Sequence, residues 1–451
     1  MVALAYCIWR PVSHSTILYL SVAVIFLTSA IIIFRDRLRI PTWLFASTSC
    51  ILIAAALGTA VGAFNTNPGN LQQAVQWLIA PVVWSAFAAS ITRSAVPLVL
   101  KVTVITLGIC SLTMFLYVAP RLGLPATLPS VLSDQQGAGL NDHEGSTAFR
   151  WYGLSSLAAG APLLVVAAAQ HRDSWLPRRT VLVLSAVAAT LVSFYSGRRA
   201  VLLVVLLALA ILPLIRRQRS KRDAFLPALV ALAATVAGGL CVFAQSFVAT
   251  LVRPLVTGAE IYLGIADSSV LNADDAARAD ESRVLLDAFL HSPLWGHGLG
   301  ALTPGFYRSE ERPWTFELQL HLALMNLGVL GCALIAYALI TWISVLRRVR
   351  RKAPEHSPSI DATAIGCVAL AIADLTNPYL QAVGHGWGVA LSVGLLCACS
   401  REPEDPQPGP FTAQPSAMRR TPRRPSRSKH HNWPKPRRSF PQGARAQHRR
   451  G

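Results

Sequence analysis

Charged side chains are scarce in this sequence. Only 14% of its 451 residues are Asp, Glu, Lys or Arg, against roughly 25% in soluble domains, while 53% are hydrophobic. Together with a mean hydropathy of +0.44, this excludes the row of soluble domains that length alone suggests, and it excludes a chain disordered throughout. The short alternating segments of a membrane β-barrel are also missing, and an open sheet would leave edge groups unpaired in lipid. Cysteine is absent from the long polar loops. The eight are Cys7, Cys50, Cys110, Cys241, Cys332, Cys367, Cys397 and Cys399, and seven lie in apolar runs, so no disulfide framework is expected. The Cys397/Cys399 pair is placed, near the cytoplasmic membrane face, for palmitoylation or metal binding, but small core-filling residues account for it more simply. No small-residue cleavage site follows the first apolar run, which Arg10 precedes, so that run reads as a retained anchor. No internal repeat of useful length is visible.

What the chain has is apolar runs. A hydrocarbon core of about 30 Å needs roughly 20 apolar residues per helix, and eleven runs approach this. They lie near 16–34, 43–63, 71–91, 95–119, 149–170, 180–196, 200–215, 225–252, 317–346, 361–380 and 384–399. The expected fold class is therefore all-α, a polytopic transmembrane helix bundle over residues 1–399.

The formal charge of +19 comes from 41 Lys and Arg against 22 Asp and Glu. Thirteen of the basic residues lie in 400–451, a Pro/Arg-rich stretch with few apolar side chains that reads as a disordered tail. Arg35, Arg37 and Arg39, then Arg93, then Arg172, Arg178 and Arg179 fall in alternate loops. The run 216–222, the RRVRRK run at 347–352 and the tail continue the alternation, and these six segments hold 30 of the 41. By the positive-inside rule the tail is cytoplasmic and the N-terminus outside. The excess charge thus sets topology and can hold the tail on anionic lipid; a nucleic-acid partner is not expected.

On the outer side the loop 253–316 is the longest, with nine acids and five arginines. Its pattern predicts an amphipathic helix over 276–291, with Val284, Leu285, Ala288 and Phe289 on one face and Pro293 ending it. A second outer loop, 120–148, is rich in Gly, Pro and Asp and reads as irregular.

Four places carry candidate chemistry. In FYSGRRAVLL, 194–203, Arg198 and Arg199 stand on the side of the membrane where short loops avoid arginine. A guanidinium fork matches phosphate oxygens; snorkelling to headgroups is the plainer alternative. In the large loop, Arg278 and Arg283 precede HSPLWGHGLGAL, 291–302. Gly296, Gly298 and Gly300 mimic part of a dinucleotide fingerprint, but no strand precedes them, so a turn allowing close backbone approach is the better reading. His291 and His297 lack a recognised metal-ligand spacing. Glu317 and His321 stand four apart, on one helical face where the chain re-enters the membrane, and are functional candidates; a glutamate favoured by a helix N-terminus is the alternative. Inside the spans, Lys101, Asp374 and Asn377 should face the bundle interior, and a Lys101–Asp374 pair is one expectation.

The order of SGRRAVLL, PLWGHGLG, the ELQLHLALMNLGVLG helix and TNPY, over roughly 180–395, resembles the O-antigen ligase/polymerase superfamily. The resemblance implies transfer of a glycan from a polyprenyl diphosphate carrier to a glycan or lipid acceptor at the outer face of the cytoplasmic membrane. Neither a nucleotide sugar nor a metal is implied, and the chain has no D-x-D motif. Arg198 matches the arginine of the family's short turn, with Arg199 an added neighbour. Arg278 better fits the distance to the Pro-Leu-x-Gly segment and Arg283 the flanking apolar pattern. Glu317 stands where ligases of the family commonly have histidine, and His321 falls one turn later, which leans toward a polymerase. On this reading the arginines bind the donor diphosphate, Glu317 or His321 acts as general base, and Gly296, His297, Gly298, Asp374 and Asn377 line the substrate site. A transporter or flippase for a lipid-linked glycan is the rival class.

Overall fold

The computed structural model describes residues 1–13, 15–125, 128–143, 146–170, 173–196, 198–216, 253–266, 271 and 273–401. The expected span 225–252 and the tail from 402 lie outside them. The described chain is almost entirely helical: α1 (Val2–Trp9), α2 (Thr16–Arg35), α3 (Thr42–Phe64), α4 (Asn70–Ser90), α5 (Val96–Val118), α6 (Ser130–Gln135), α7 (Leu157–Gln170), α8 (Arg179–Tyr195), α9 (Arg199–Arg216), α10 (Arg253–Tyr262), α11 (Ala273–His291), α12 (Gln319–Lys352), α13 (Ser357–Asp374) and α14 (Trp387–Ser400). Seven helices among the described residues are long and apolar enough to cross a membrane, and Arg179–Tyr195 and Ala200–Ile211 are shorter apolar helices. In α4 the length suffices, but Gln72, Gln73 and Gln76 make its first half polar.

Two packing groups organise the bundle. In the first, α7 is surrounded by α5, α8, α9 and α13 and is buried along almost its whole length. Small residues bring the backbones close: Gly160 faces Leu107, and Gly366 faces the Ala159 carbonyl and Leu163. Such surfaces associate through close packing, since lipid is as apolar as the helices themselves. Cys397 fills a small cluster with Leu44 and Ala89, as a core residue would.

The second group pairs α3 with α12, and α12 is not continuous. At Gly328 the backbone turns to φ 62°, ψ −171°, a region open to glycine alone. Backbone groups freed by such a break need partners in a low-dielectric setting, and the 293–300 segment supplies them. Val329 N–H donates to the Pro293 carbonyl at 2.8 Å and Leu330 N–H to Leu294 at 3.2 Å, while His297 and Gly298 N–H donate to Met325 and Asn326 at 2.7 and 3.0 Å. The loop is thereby stitched into the helix.

Three expectations change. The loop 120–148 is not irregular throughout: Gly139–His143 and Ser146–Arg150 form an antiparallel hairpin, preceded by α6. The loop helix begins at Ala273, three residues before the apolar pattern does, because its first turn is polar. Glu317 lies ahead of α12, so it and His321 do not share a helical face.

Candidate functional site

The SGRR turn is built by a serine. Ser196 Oγ, fully buried, donates to the Ser193 carbonyl at the end of α8 (2.8 Å) and accepts the Arg198 N–H ahead of α9 (3.1 Å). This joins the two helix ends and leaves Arg198 exposed. Arg199 opens α9; its side chain lies outside the described set.

The loop helix α11 turns a polar stripe inward. Its positions Arg278, Glu281, Ser282 and Leu285 follow helical spacing, and the last three are buried. Glu281 is fully buried. Its Oε1 accepts the N–H groups of Glu317 and Leu318 at 2.6 and 2.7 Å, and its Oε2 accepts Arg308 Nε at 2.8 Å. Burial pushes the Glu281 carboxyl up, against the opposing pull of the Leu318 N–H and Arg308. Glu317 Oε2 in turn accepts Arg278 Nε at 2.8 Å and Arg308 Nη2 at 3.5 Å, and Arg278 also reaches Asp275 at 3.4 Å.

The two loop arginines have different settings. The Arg278 side chain is 25% exposed and points into this network; that of Arg283 is 45% exposed and bonds the Ala266 carbonyl and Asp280. Arg283 therefore ties the loop to itself.

His321 is buried in α12, its ring edge-on to Tyr262 with centroids 4.7 Å apart. Its Nε2 lies 3.0 Å from the Tyr262 carbonyl and 3.4 Å from Ser282 Oγ. A carbonyl only accepts, so Nε2 carries the proton and Nδ1 is left as an acceptor. Nδ1 has no hydrogen-bond partner among the described residues, and neither has the Tyr262 hydroxyl. That hydroxyl is pushed up to about 12, by burial first and then by the Asp374 charge.

The DLTNPY turn packs against the start of α12. Gln319 N–H donates to the Leu375 carbonyl at 3.1 Å, and Gln381 Nε2 donates to Gln319 Oε1 at 2.8 Å. Asp374 accepts the Leu380 N–H at 2.7 Å, so it holds this turn; Lys101, expected to face the bundle interior, is instead exposed on α5 beside buried Leu100, and the expected pair gives way to a backbone bond. Asn377 stays within the turn: its Nδ2 donates to Thr376 Oγ1 and its carbonyl accepts the Tyr379 N–H. Tyr379 is the meeting point. Its hydroxyl is pushed up to about 12 by burial, drawn down by Arg198 and Arg278, and raised by Asp374 and Glu317. The charges of the SGRR arginine and of one loop arginine thus both act on this phenol.

The glycine segment has another task. Gly296 and Gly298 have φ of 71° and 85°, and a Cβ on either would strike backbone at Asn326 or Gly62. The His297 carbonyl accepts from Asn65 and Asn67, and its Nε2 bonds the Ala288 carbonyl at 2.7 Å. His291 Nδ1 likewise bonds the Asp287 carbonyl. Gly296, His297 and Gly298 join loop to bundle rather than lining the polar network, while His291 only bonds within its own helix. Buried Gln73 adds to the joint, its Oε1 accepting Gly300 N–H and Asn326 Nδ2 at 2.7 and 2.9 Å.

Sequence reasoning missed Glu281, Arg308, Tyr262 and Tyr379. For Glu281 a signal existed in its spacing of three from Arg278 and its place in the acidic loop; Tyr379 stood inside the quoted TNPY. Arg308 and Tyr262 lie in stretches without a pattern. Among the described residues no group of three or more His, Cys, Asp or Glu is placed to hold a metal ion. No family model matches the chain, and no curated protein matches it.

Proposed function

We propose that this multi-pass membrane protein is a glycosyltransferase that polymerises or transfers polyprenyl-diphosphate-linked oligosaccharide at the outer face of the cytoplasmic membrane. The finer architecture of this reading has eleven spans, the N-terminus and the 253–316 loop outside, and the 400–451 tail on the anionic lipid of the cytoplasmic leaflet. The observation that carries it is the convergence of Arg278 and Arg308 on Glu317 Oε2 at the start of α12, beside the DLTNPY turn that Gln319 bonds and whose Tyr379 the Arg198 charge also reaches. Arginines on that side of the membrane run against the charge bias of the rest of the chain, and diphosphate is a ligand their forks suit.

In the reaction, an acceptor hydroxyl oxygen bonds to the anomeric carbon of the donor, and the bond from that carbon to the diphosphate oxygen breaks. The polyprenyl diphosphate leaves with the electron pair, and its charge is stabilised by Arg198 and Arg278. The hydroxyl proton passes to a base. His321, with Nδ1 unpartnered, is better disposed than Glu317, whose Oε2 is engaged by two guanidiniums.

The test is reconstitution in vesicles with polyprenyl-diphosphate oligosaccharide, scored by mass. A longer glycan on the carrier identifies a polymerase, and glycan on another acceptor a ligase. Donor moved across the bilayer with no bond formed would replace the enzyme by a transporter. Arg198→Ala should abolish product while the protein stays in the membrane; normal product from it would overturn the reading.

A further inference from the structure

The polar network is already saturated with anion. Around Arg278 and Arg308 stand three carboxylates, those of Asp275, Glu281 and Glu317, all within 3.5 Å of a guanidinium nitrogen. A diphosphate brought to these arginines would meet like charge at contact distance, which is unfavourable in a partly buried site. One carboxylate must therefore leave or the diphosphate cannot dock.

The three differ in freedom. Glu281 is fully buried, with both oxygens engaged by two backbone N–H groups and Arg308. Asp275 is also buried, and its contact with Arg278 is the longer one. Glu317 is 32% exposed, and its contacts with Arg278 and Arg308 both run through Oε2. Its backbone is pinned by Glu281, so a change of side-chain rotamer alone moves its charge toward solvent and leaves the loop in place. Arg308 would then stay anchored through Nε on Glu281 while Nη2 is presented.

We propose, on the basis of the diphosphate-dependent reading above, that Glu317 is a placeholder anion: it occupies the donor's diphosphate site, and the donor displaces it from Arg278 and Arg308. Arg308 thereby becomes a further donor-binding residue. Until donor binds, Glu317 keeps both arginines paired.

The experiment measures the dissociation constant of inorganic pyrophosphate for the purified full-length protein in detergent, by calorimetry, beside the vesicle elongation assay. Glu317→Gln removes the competing charge and keeps the backbone bonds to Glu281. It should bind pyrophosphate about tenfold more tightly than wild type, equivalent to about 1.4 kcal/mol. Arg308→Lys, which keeps a cation for Glu281 but loses the fork, should bind it about tenfold more weakly. Glu317→Ala repeats the first arm should Gln retain a hydrogen bond to Arg278. Unchanged or weaker binding in both Glu317 variants overturns the placeholder role, and unchanged binding in Arg308→Lys removes Arg308 from the site. These failures are separable from that of the parent reading: wild type that elongates glycan while the Glu317 variants gain nothing loses only the placeholder, whereas tighter variants without glycan synthesis by any preparation leave an anion site with another use.

Discussion

Glu281 accepts the backbone N–H of Leu318 at 2.7 Å, and so a carboxylate of the loop helix closes the start of a membrane helix 37 residues later in the chain. The first N–H groups of a helix have no partner within it, and here the same side chain also holds Arg308. Glu281→Ala would strand two N–H groups in a buried setting and leave Arg308 only its 3.5 Å contact with Glu317. We expect a loss of about 3–5 kcal/mol, the usual consequence of breaking a buried charged pair from one side. Thermal unfolding in detergent should fall accordingly, and hydrogen exchange should rise first over 316–322.

The same carboxyl has a pH signature. Burial raises its folded value above the ordinary carboxylic-acid value. Its contribution to stability is therefore fully present below that ordinary value and is lost as pH rises through the raised one. Glu281→Gln is neutral at every pH and keeps an acceptor. Relative to wild type, its melting temperature should climb as pH increases through this window; a constant difference, or one that narrows from above, would contradict the assignment.

Arg278 and Arg283, both candidates from the sequence, should separate cleanly. Arg278 meets Glu317 and takes part in the electrostatics of Tyr379, whereas Arg283 is spent on Asp280 and the Ala266 carbonyl. Arg278→Ala should lower elongation by about 10²–10³, the range for removing one donor that stabilises developing negative charge. Arg283→Ala should keep most activity. Equal losses in the two variants would show that the loop's integrity, not a diphosphate contact, is being measured.

Gly328 offers a test of the stitched joint. Its φ is 62°, and a Cβ would lie 2.4 Å from the Leu294 carbonyl oxygen. Gly328→Ala carries backbone strain of about 1–3 kcal/mol before any clash. The expected result is a lower melting temperature and faster proteolysis of the 293–316 loop.

The helices were legible because lipid imposes a length and an apolarity that composition reveals directly; each described run contains a helix, and seven of these helices are long and apolar enough to cross a membrane. The break at Gly328 was not, since LMNLGVLG reads as unbroken helix and the reason for the break lies 30 residues earlier, in Pro293–Gly298. Arg198 was legible as an arginine in the short turn between two apolar runs, and it stands exposed between α8 and α9. Glu281 and Arg308 were not, because a buried ion network is defined by who meets whom across loops, and a surface acid and a network acid look alike in sequence. Glu317 and His321 were found for the wrong geometric reason: their spacing suggested one helical face, but Glu317 is held ahead of the helix by Glu281.

His321 remains the group whose chemistry is most directly accessible to measurement. Its Nε2–H is fixed on the Tyr262 carbonyl, which leaves Nδ1 as the acceptor. Were it the general base, His321→Ala should lower kcat by about 10²–10⁴ with little change in pyrophosphate affinity, because the arginine network does not include it. His321→Gln retains a hydrogen-bonding side chain of similar reach but cannot take the proton, so it should fold like wild type and be as inactive as the alanine variant. If His321→Gln instead restores turnover, the ring serves only to pack against Tyr262, and the proton must pass to Glu317 once the donor has displaced it. The kcat of the glutamine variant, read against its melting temperature, decides between the two.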